Sequence, residues 1–148
     1  MANNNNNATM KTNKNKNYNH TRCAQINLQH SRLATDNVMK VIEKKGIEIV
    51  LIQEPYTIRN RIAGIPRGYR TYTFGEGRSR AAILITNNQL AAIQIVQLSD
   101  EDTVVIETTI GNHKYILISM YLDINEQLER DIGKIDRIIT FSKGAKYF

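Results

Sequence analysis

The sequence has one cysteine, two prolines and no tryptophan in 148 residues. A single thiol, Cys23, cannot form an internal disulfide, which excludes a disulfide-stapled secreted scaffold and fits a reducing compartment. Cys23 lies in a strand-like run, where a buried thiol acting as a small hydrophobe is expected. No apolar run approaches the roughly 20 residues that a membrane span needs. The first residues carry asparagine and lysine where a secretory leader needs an apolar segment, so the expected location is intracellular. No G-x-G-x-x-G follows a strand and no G-K-[ST] loop is present, which sets aside dinucleotide-binding and kinase readings.

Acid is scarce in two places. Residues 1–22 hold Lys11, Lys14, Lys16 and Arg22 and no carboxylate, so most of the net charge of +6 sits there and the rest of the chain is only weakly basic. Further on, Arg59, Arg61, Arg67, Arg70, Arg78 and Arg80 are opposed only by Glu76. A surface of that sign suits a polyanion such as nucleic acid. Taken alone, a run of charge more often marks a solvated face.

What remains is ordinary for one globular domain, with 41% hydrophobic and 23% charged residues. Met1–Asn19 has nine asparagines and almost nothing to bury, so residues 1–21 are expected to be a disordered tail and 22–148 the domain. Arg22–Gln29 alternates polar and apolar side chains, which predicts a half-buried strand with Ala24, Ile26 and Leu28 inward. Ser31 can cap a following helix whose inward face is Ala34, Val38, Val41 and Ile42, with Gly46 as its stop. Ile47–Gln53 reads as a buried strand, parallel to the first because a helix connects them. A long arginine-rich loop, 55–68, shows no periodicity. Strands are predicted at Tyr69–Phe74, Ala81–Thr86, Ala92–Leu98, Thr103–Ile110 and Lys114–Tyr121, the last two joined by a Gly111-Asn112 hairpin turn. Glu126–Lys143 reads as an amphipathic helix with Leu128, Ile132, Ile135 and Ile139 inward, and Tyr147-Phe148 as the start of another strand.

Polar residues gather where these strands end, the usual place for an active site on mixed α and β folds. Asn27 and Gln29 close the first strand, Gln53 and Glu54 the second, Ser119 and Tyr121 the last, with Asp123 just beyond. One carboxylate among amides and water suits a hard cation. Each residue also has a plainer reading: Glu54 as a loop carboxylate, Asn27 as a satisfied amide, Tyr121 as packing.

Taken in order, Q-I-N-L at Gln25–Leu28, an amphipathic helix, L-I-Q-E-P-Y at Leu51–Tyr56, S-R-A-A-I-L-I at Ser79–Ile85 and I-S-M-Y-L at Ile118–Leu122 resemble the exonuclease–endonuclease–phosphatase superfamily. Within it, the set is most similar to the apurinic-type endonuclease domain of non-LTR retrotransposons, from Arg22 to the end. The resemblance implies an α+β fold, a four-layer α/β-β/α sandwich of two mixed sheets, present here as its N-terminal half. It implies a divalent-metal-dependent DNA endonuclease that nicks a target so that a reverse transcriptase domain of the parent protein can prime there, in the nucleus. Glu54 would be the ligand of Mg²⁺ or Mn²⁺, Asn27 would help hold metal site and phosphate, and Tyr121 would lie near the phosphate. The six arginines, Arg59 to Arg80, would contact DNA.

Two departures accompany it. Many members carry an acid two positions after the asparagine, where this chain has Gln29. The family's G-D-x-N and its later aspartate–histidine pair are absent, and His20, His30 and His113 are not expected to replace them, His30 reading as a surface loop residue. The expectation is a truncated, catalytically inactive and poorly soluble fragment with open sheet edges. The rival readings are a non-catalytic basic nucleic-acid-binding module or degenerate transposon remnant, and a phosphoesterase of the same superfamily acting on another ester.

Overall fold

The computed structural model describes residues 20–143, together with the backbone of 146 and 147. The asparagine-rich start and Phe148, on which two of the expectations above fall, lie outside the described residues.

Strand β1 (Cys23–Asn27), helix α1 (Arg32–Lys45) and strand β2 (Ile49–Gln53) form a crossover unit, with β1 and β2 parallel as expected. The Ser31 hydroxyl accepts from the Ala34 amide at 3.1 Å and opens α1, and Gly46, at φ 61°, closes it in the left-handed region that glycine adopts without strain. Thr35 and Ile42 are buried and Val38 and Met39 half-buried, but Val41, expected inward, is 48% exposed. It lies about 100° round the helix from Ile42, off the face that Thr35, Val38 and Ile42 define. Cys23 corrects its expectation too. It is exposed, because it shares the outer side of edge strand β1 with Gln25 and Asn27.

The 55–68 loop contains a hairpin that periodicity did not reveal, β3 (Thr57–Ile58) with β4 (Arg61–Ile62). Its tip residues Arg59 and Asn60 have φ of 51° and 62°, the signs that a tight two-residue turn demands. Arginine does not advertise that conformation.

Strands β5 (Arg70–Tyr72) and β6 (Ala81–Ile85) complete a first mixed sheet in the order β1-β2-β6-β5. All of β6 is buried because both its faces are covered: Ala82 and Leu84 meet α1's cluster, and Ala81, Ile83 and Ile85 face the other sheet. That second mixed sheet runs β10-β9-β8-β7, from β7 (Ala92–Gln94), β8 (Thr103–Ile110), β9 (His113–Met120) and β10 (Lys146–Tyr147), the last parallel to β9. Gly111 at φ 60° turns the β8–β9 hairpin as expected. The strand expected to reach Leu98 stops at Gln94, and Val96–Leu98 is a 3-10 turn. The Ser99 hydroxyl then donates to the Ile95 carbonyl at 2.9 Å and accepts the Val105 amide at 3.1 Å, a bond that a continued strand would have made with its backbone.

Helix α2 (Leu128–Phe141) covers the outer face of the second sheet, so the layers run helix, sheet, sheet, helix. Its rotation reverses the expectation. Asp131, Lys134 and Ile138 are buried, whereas Leu128, Ile132, Ile135 and Ile139 are 63%, 55%, 40% and 47% exposed. Lys134 Nζ reaches Asp100 Oδ2 at 2.7 Å, and Ile138 packs among Ile95, Val105 and Ile116. These contacts leave the apolar row about a quarter turn from the docked face.

That row is expected to drive concentration-dependent self-association, which sedimentation velocity reads directly. Replacing Ile132 and Ile139 together with Glu should shift the protein to its smallest species and change unfolding free energy by only about 0.5 kcal/mol. A loss of several kcal/mol would mean that the row is packed in solution.

Candidate functional site

The strand ends converge through hydrogen bonds. Asn27, last in β1, is the register partner of Gln53, last in β2. Gln53 is buried and bridges the sheets: its Nε2 donates to Ser119 Oγ on β9 at 3.1 Å, its Oε1 accepts from Gln25 Nε2 at 3.2 Å, and Ser119 Oγ donates to the Ile52 carbonyl at 2.8 Å. A buried amide satisfied in this way locks β2 to β9.

Glu54 follows with φ 47°, a left-handed conformation that costs a residue with a Cβ about 1–2 kcal/mol. Both of its backbone groups are held. Its amide donates to the Arg80 carbonyl at 2.8 Å, and its carbonyl accepts the His30 amide at 2.9 Å. The side chain is 22% exposed. Tyr121 stands beside it, near enough for the Glu54 charge to act on the phenol, and its amide donates to the Asp102 carbonyl at 2.8 Å. Desolvation of the ring, then the Glu54 charge and hydrogen bond, push this phenol above its ordinary range, opposed by Arg80. Tyr121 therefore keeps its proton and faces the Glu54 charge as a neutral phenol. Asn27 turns its Oδ1 to the Gln29 amide at 2.8 Å, which supports two consecutive left-handed residues, Gln29 and His30.

Arg80 fixes the frame. Its Nε and Nη2 donate to the two Asp102 oxygens at 2.6 and 2.8 Å, its Nη1 donates to Asp123 Oδ2 at 2.7 Å, and its guanidinium lies 4.9 Å from the Tyr121 ring centroid. Those hydrogen bonds, against the cost of desolvation, raise its pKa above the ordinary arginine value. The Asn125 amide and then Arg80 hold Asp123 below the ordinary aspartate range.

The six arginines divide. Arg70 donates to the Tyr72 hydroxyl and to the Asn87 and Leu90 carbonyls, tying edge strand β5 to the loop before β7. Arg80 is committed as described. Arg59, Arg61, Arg67 and Arg78 are exposed and enter no ion pair among the described residues. His30 is not a bystander: Nδ1 lies 3.0 Å from the Pro55 carbonyl, and Nε2 lies 3.8 Å from Glu54 Oε1 and 3.4 Å from Arg78 Nη2. His20 and His113 are exposed and take no part in these contacts. Asp102 and His30 escaped the sequence reading because neither sits in a motif; only folding brings them to Arg80 and Glu54.

No group of three or more His, Cys, Asp or Glu converges as a metal cluster among the described residues. The donors at this end are one partly exposed carboxylate, Glu54, and a strand-end amide, Asn27. That set fits a hard cation that keeps most of its waters.

No family model and no curated protein matches the sequence. Solved structures do. The endonuclease domain of TRAS1, a telomere-specific non-LTR retrotransposon, superposes with a TM-score of 0.76 at 27% identity over 86% of this chain. The D. rerio TDP2 humanised by 14 mutations superposes at 0.57 with 11% identity over 80%, and an AP endonuclease from Archaeoglobus fulgidus at 0.51 with 16% over 83%. The fold is that of the exonuclease–endonuclease–phosphatase superfamily. This chain spans 56%, 55% and 52% of the length of those three superfamily structures.

Within this superfamily fold the Arg80 cluster yields two expectations. Arg80→Ala should cost about 3 kcal/mol in denaturant melts by leaving Asp102 unpaired, and Arg80→Lys should recover less than half, because lysine lacks the planar fork. The acid limb of stability is the second. Asp123 is held below the ordinary value of 3.8; so is Asp100, where burial raises the carboxyl but the Lys134 hydrogen bond and the Asp102 amide outweigh it. A carboxyl depressed on folding stabilises above its unfolded pKa and loses that contribution as pH falls through the folded one. Urea midpoints should stay level from pH 7 to about 5 and drop below about 4. Asp123→Asn should shallow the drop, and an unchanged acid limb would count against the assignment.

Proposed function

We propose that this chain binds DNA and carries part of a divalent-metal-dependent phosphodiester-nicking site. The observation that carries the reading is the Glu54 carboxylate, held in a strained backbone beside the Tyr121 phenol and the end of β1, on a fold shared with the TRAS1 endonuclease domain. A D. rerio TDP2 structure of the same fold, TM-score 0.52, was solved with a single-strand DNA product, which supports a nucleic acid as the partner class.

In this reading Glu54 and Asn27 hold Mg²⁺ or Mn²⁺. When bound, such a cation supplies positive charge to the phosphoryl oxygens. Tyr121, protonated, fixes the Glu54 carboxylate and presents its phenol near the phosphate. Arg59, Arg61, Arg67 and Arg78 neutralise backbone phosphates, which position the duplex without reading its sequence. Arg70 and Arg80 are left out of that set because their guanidinium groups already hold the fold together. Cleavage also needs a base for the attacking water. No described residue is assigned that task, so the 148-residue chain should bind with little or no turnover. In a retrotransposon setting, the nick made by the complete site would prime a reverse transcriptase domain of the same protein.

Fluorescence anisotropy with a short duplex tests the reading. Four phosphate contacts predict a log–log salt slope of about −3.6. Mg²⁺ should tighten binding, and Glu54→Gln should abolish that tightening while leaving the EDTA affinity within about twofold. Absence of binding at low salt, or a Glu54→Gln protein that responds to Mg²⁺ like the parent, would overturn the proposal.

A further inference from the structure

Two arginines flank Ser79, and their neighbours differ in charge. Arg80 is neutralised by Asp102 and Asp123. Arg78 enters no ion pair among the described residues, and its Nη2 lies 3.4 Å from His30 Nε2. The other ring nitrogen fixes what that contact is. His30 Nδ1 is 3.0 Å from the Pro55 carbonyl, which can only accept, and Arg78 can only donate, so the two contacts together require a hydrogen on Nδ1 and a lone pair on Nε2. Arg78 donates to it. The ring cannot swing away without losing the Pro55 bond, and the His30 backbone is itself pinned, at φ 56°, by its amide on the Glu54 carbonyl at 2.9 Å.

We infer that His30 is a positioning residue that aims Arg78 at a DNA phosphate bound beside Glu54. The inference rests on the DNA-binding reading above and adds a residue that the reading does not use. A neutral acceptor can hold a guanidinium in place without cancelling its charge, which a carboxylate in the same position would do, as Asp102 and Asp123 do to Arg80. One N–H of Arg78 is used on His30, and the rest of the fork stays available for phosphate oxygens. Because His30 Nε2 is also 3.8 Å from Glu54 Oε1, the aimed guanidinium stands next to the carboxylate proposed to hold the cation. A side chain ordered before binding loses less conformational freedom when the phosphate arrives, which tightens binding without a new contact.

Duplex affinity of the full chain, measured in EDTA so that no cation intervenes, is compared for His30→Ala, Arg78→Ala, the double variant and His30→Gln. Arg78→Ala and His30→Ala should each weaken binding about 5- to 10-fold and lower the salt slope by about 0.9 or less. The double variant should be no weaker than Arg78→Ala, because His30 acts through Arg78. His30→Gln should recover most of the loss, since its amide can donate to Pro55 and accept from Arg78. Histidine ¹⁵N spectra of the parent should show the Nδ1–H tautomer at His30. Additive losses, an unchanged slope in His30→Ala, or an Nε2–H tautomer would overturn the inference while leaving the DNA-binding reading intact. A parent chain that binds no duplex at low salt would overturn both.

Discussion

The guanidinium of Arg80 lies between Asp102, Asp123 and the Tyr121 ring, and its own backbone carbonyl takes the Glu54 amide. Through these contacts one residue at the start of β6 meets the end of β2, the approach to β8 and the exit of β9. Placing a charged group there has a desolvation cost, and the two carboxylates offset it only because the guanidinium fork matches them closely. A hydrophobic side chain could fill the same volume but could not fix the angle of the Tyr121 ring or tie Asp102 to Asp123. The interaction therefore specifies geometry more than it adds stability. The whole candidate site inherits its precision from that geometry.

Strain is concentrated where the precision is needed. The non-glycine residues with left-handed φ, among the described ones, are Gln29, His30, Glu54, Arg59 and Asn60. Gln29 bonds Asn27 Oδ1 and its neighbour His30 bonds the Glu54 carbonyl, which gathers the first three at the ends of β1 and β2, and the other two tip the hairpin that follows. Such conformations persist only where surrounding structure over-determines them. Here the over-determination comes from the bridge Gln25–Gln53–Ser119, buried at Gln53 and Ser119, and from the apolar layer of Ile49, Ile83, Ile85, Val104 and Ile106 between the sheets. Packing between sheets and strain at their ends are thus two sides of one arrangement.

Much of this was legible in the chain. The β1–α1–β2 unit, its Ser31 and Gly46 caps, β8 and the Gly111 hairpin followed from periodicity and local chemistry, and so did the gathering of Asn27, Glu54 and Tyr121 at strand ends. What could not be read depends on long-range partners. The apolar row of α2 is a real amphipathic signal, yet which face docks is decided by Lys134 finding Asp100 and by Ile138 finding Ile95, contacts between residues about 35 to 45 positions apart in the sequence. Similarly, six arginines in one segment look alike until Arg70 is seen capping carbonyls and Arg80 gripping two aspartates. His30 looked like a loop residue because the Pro55 carbonyl and Glu54 carboxylate that define it arrive from another strand. The turn at Arg59-Asn60 stayed hidden because arginine lacks the conformational bias that asparagine has.

The allocation of charge is what supports Glu54, among its neighbours, as the group proposed to take a cation. Asp102, Asp123 and Glu54 all stand around Arg80 at this end of the sandwich. Asp102 and Asp123 are both engaged by Arg80, so neither can exchange its partner without breaking the frame. Glu54 has only weaker claims on it: the Tyr121 phenol, and the His30 ring nitrogen at 3.8 Å. Each can steady a carboxylate without neutralising it. In the proposed reading, a hydrated cation would be taken by an oriented, partly exposed carboxylate of this kind. The arginine that could have cancelled it, Arg78, is instead held against His30. In the proposed reading, a DNA phosphate held there would meet a cation at Glu54 on one side and the Arg78 guanidinium on the other.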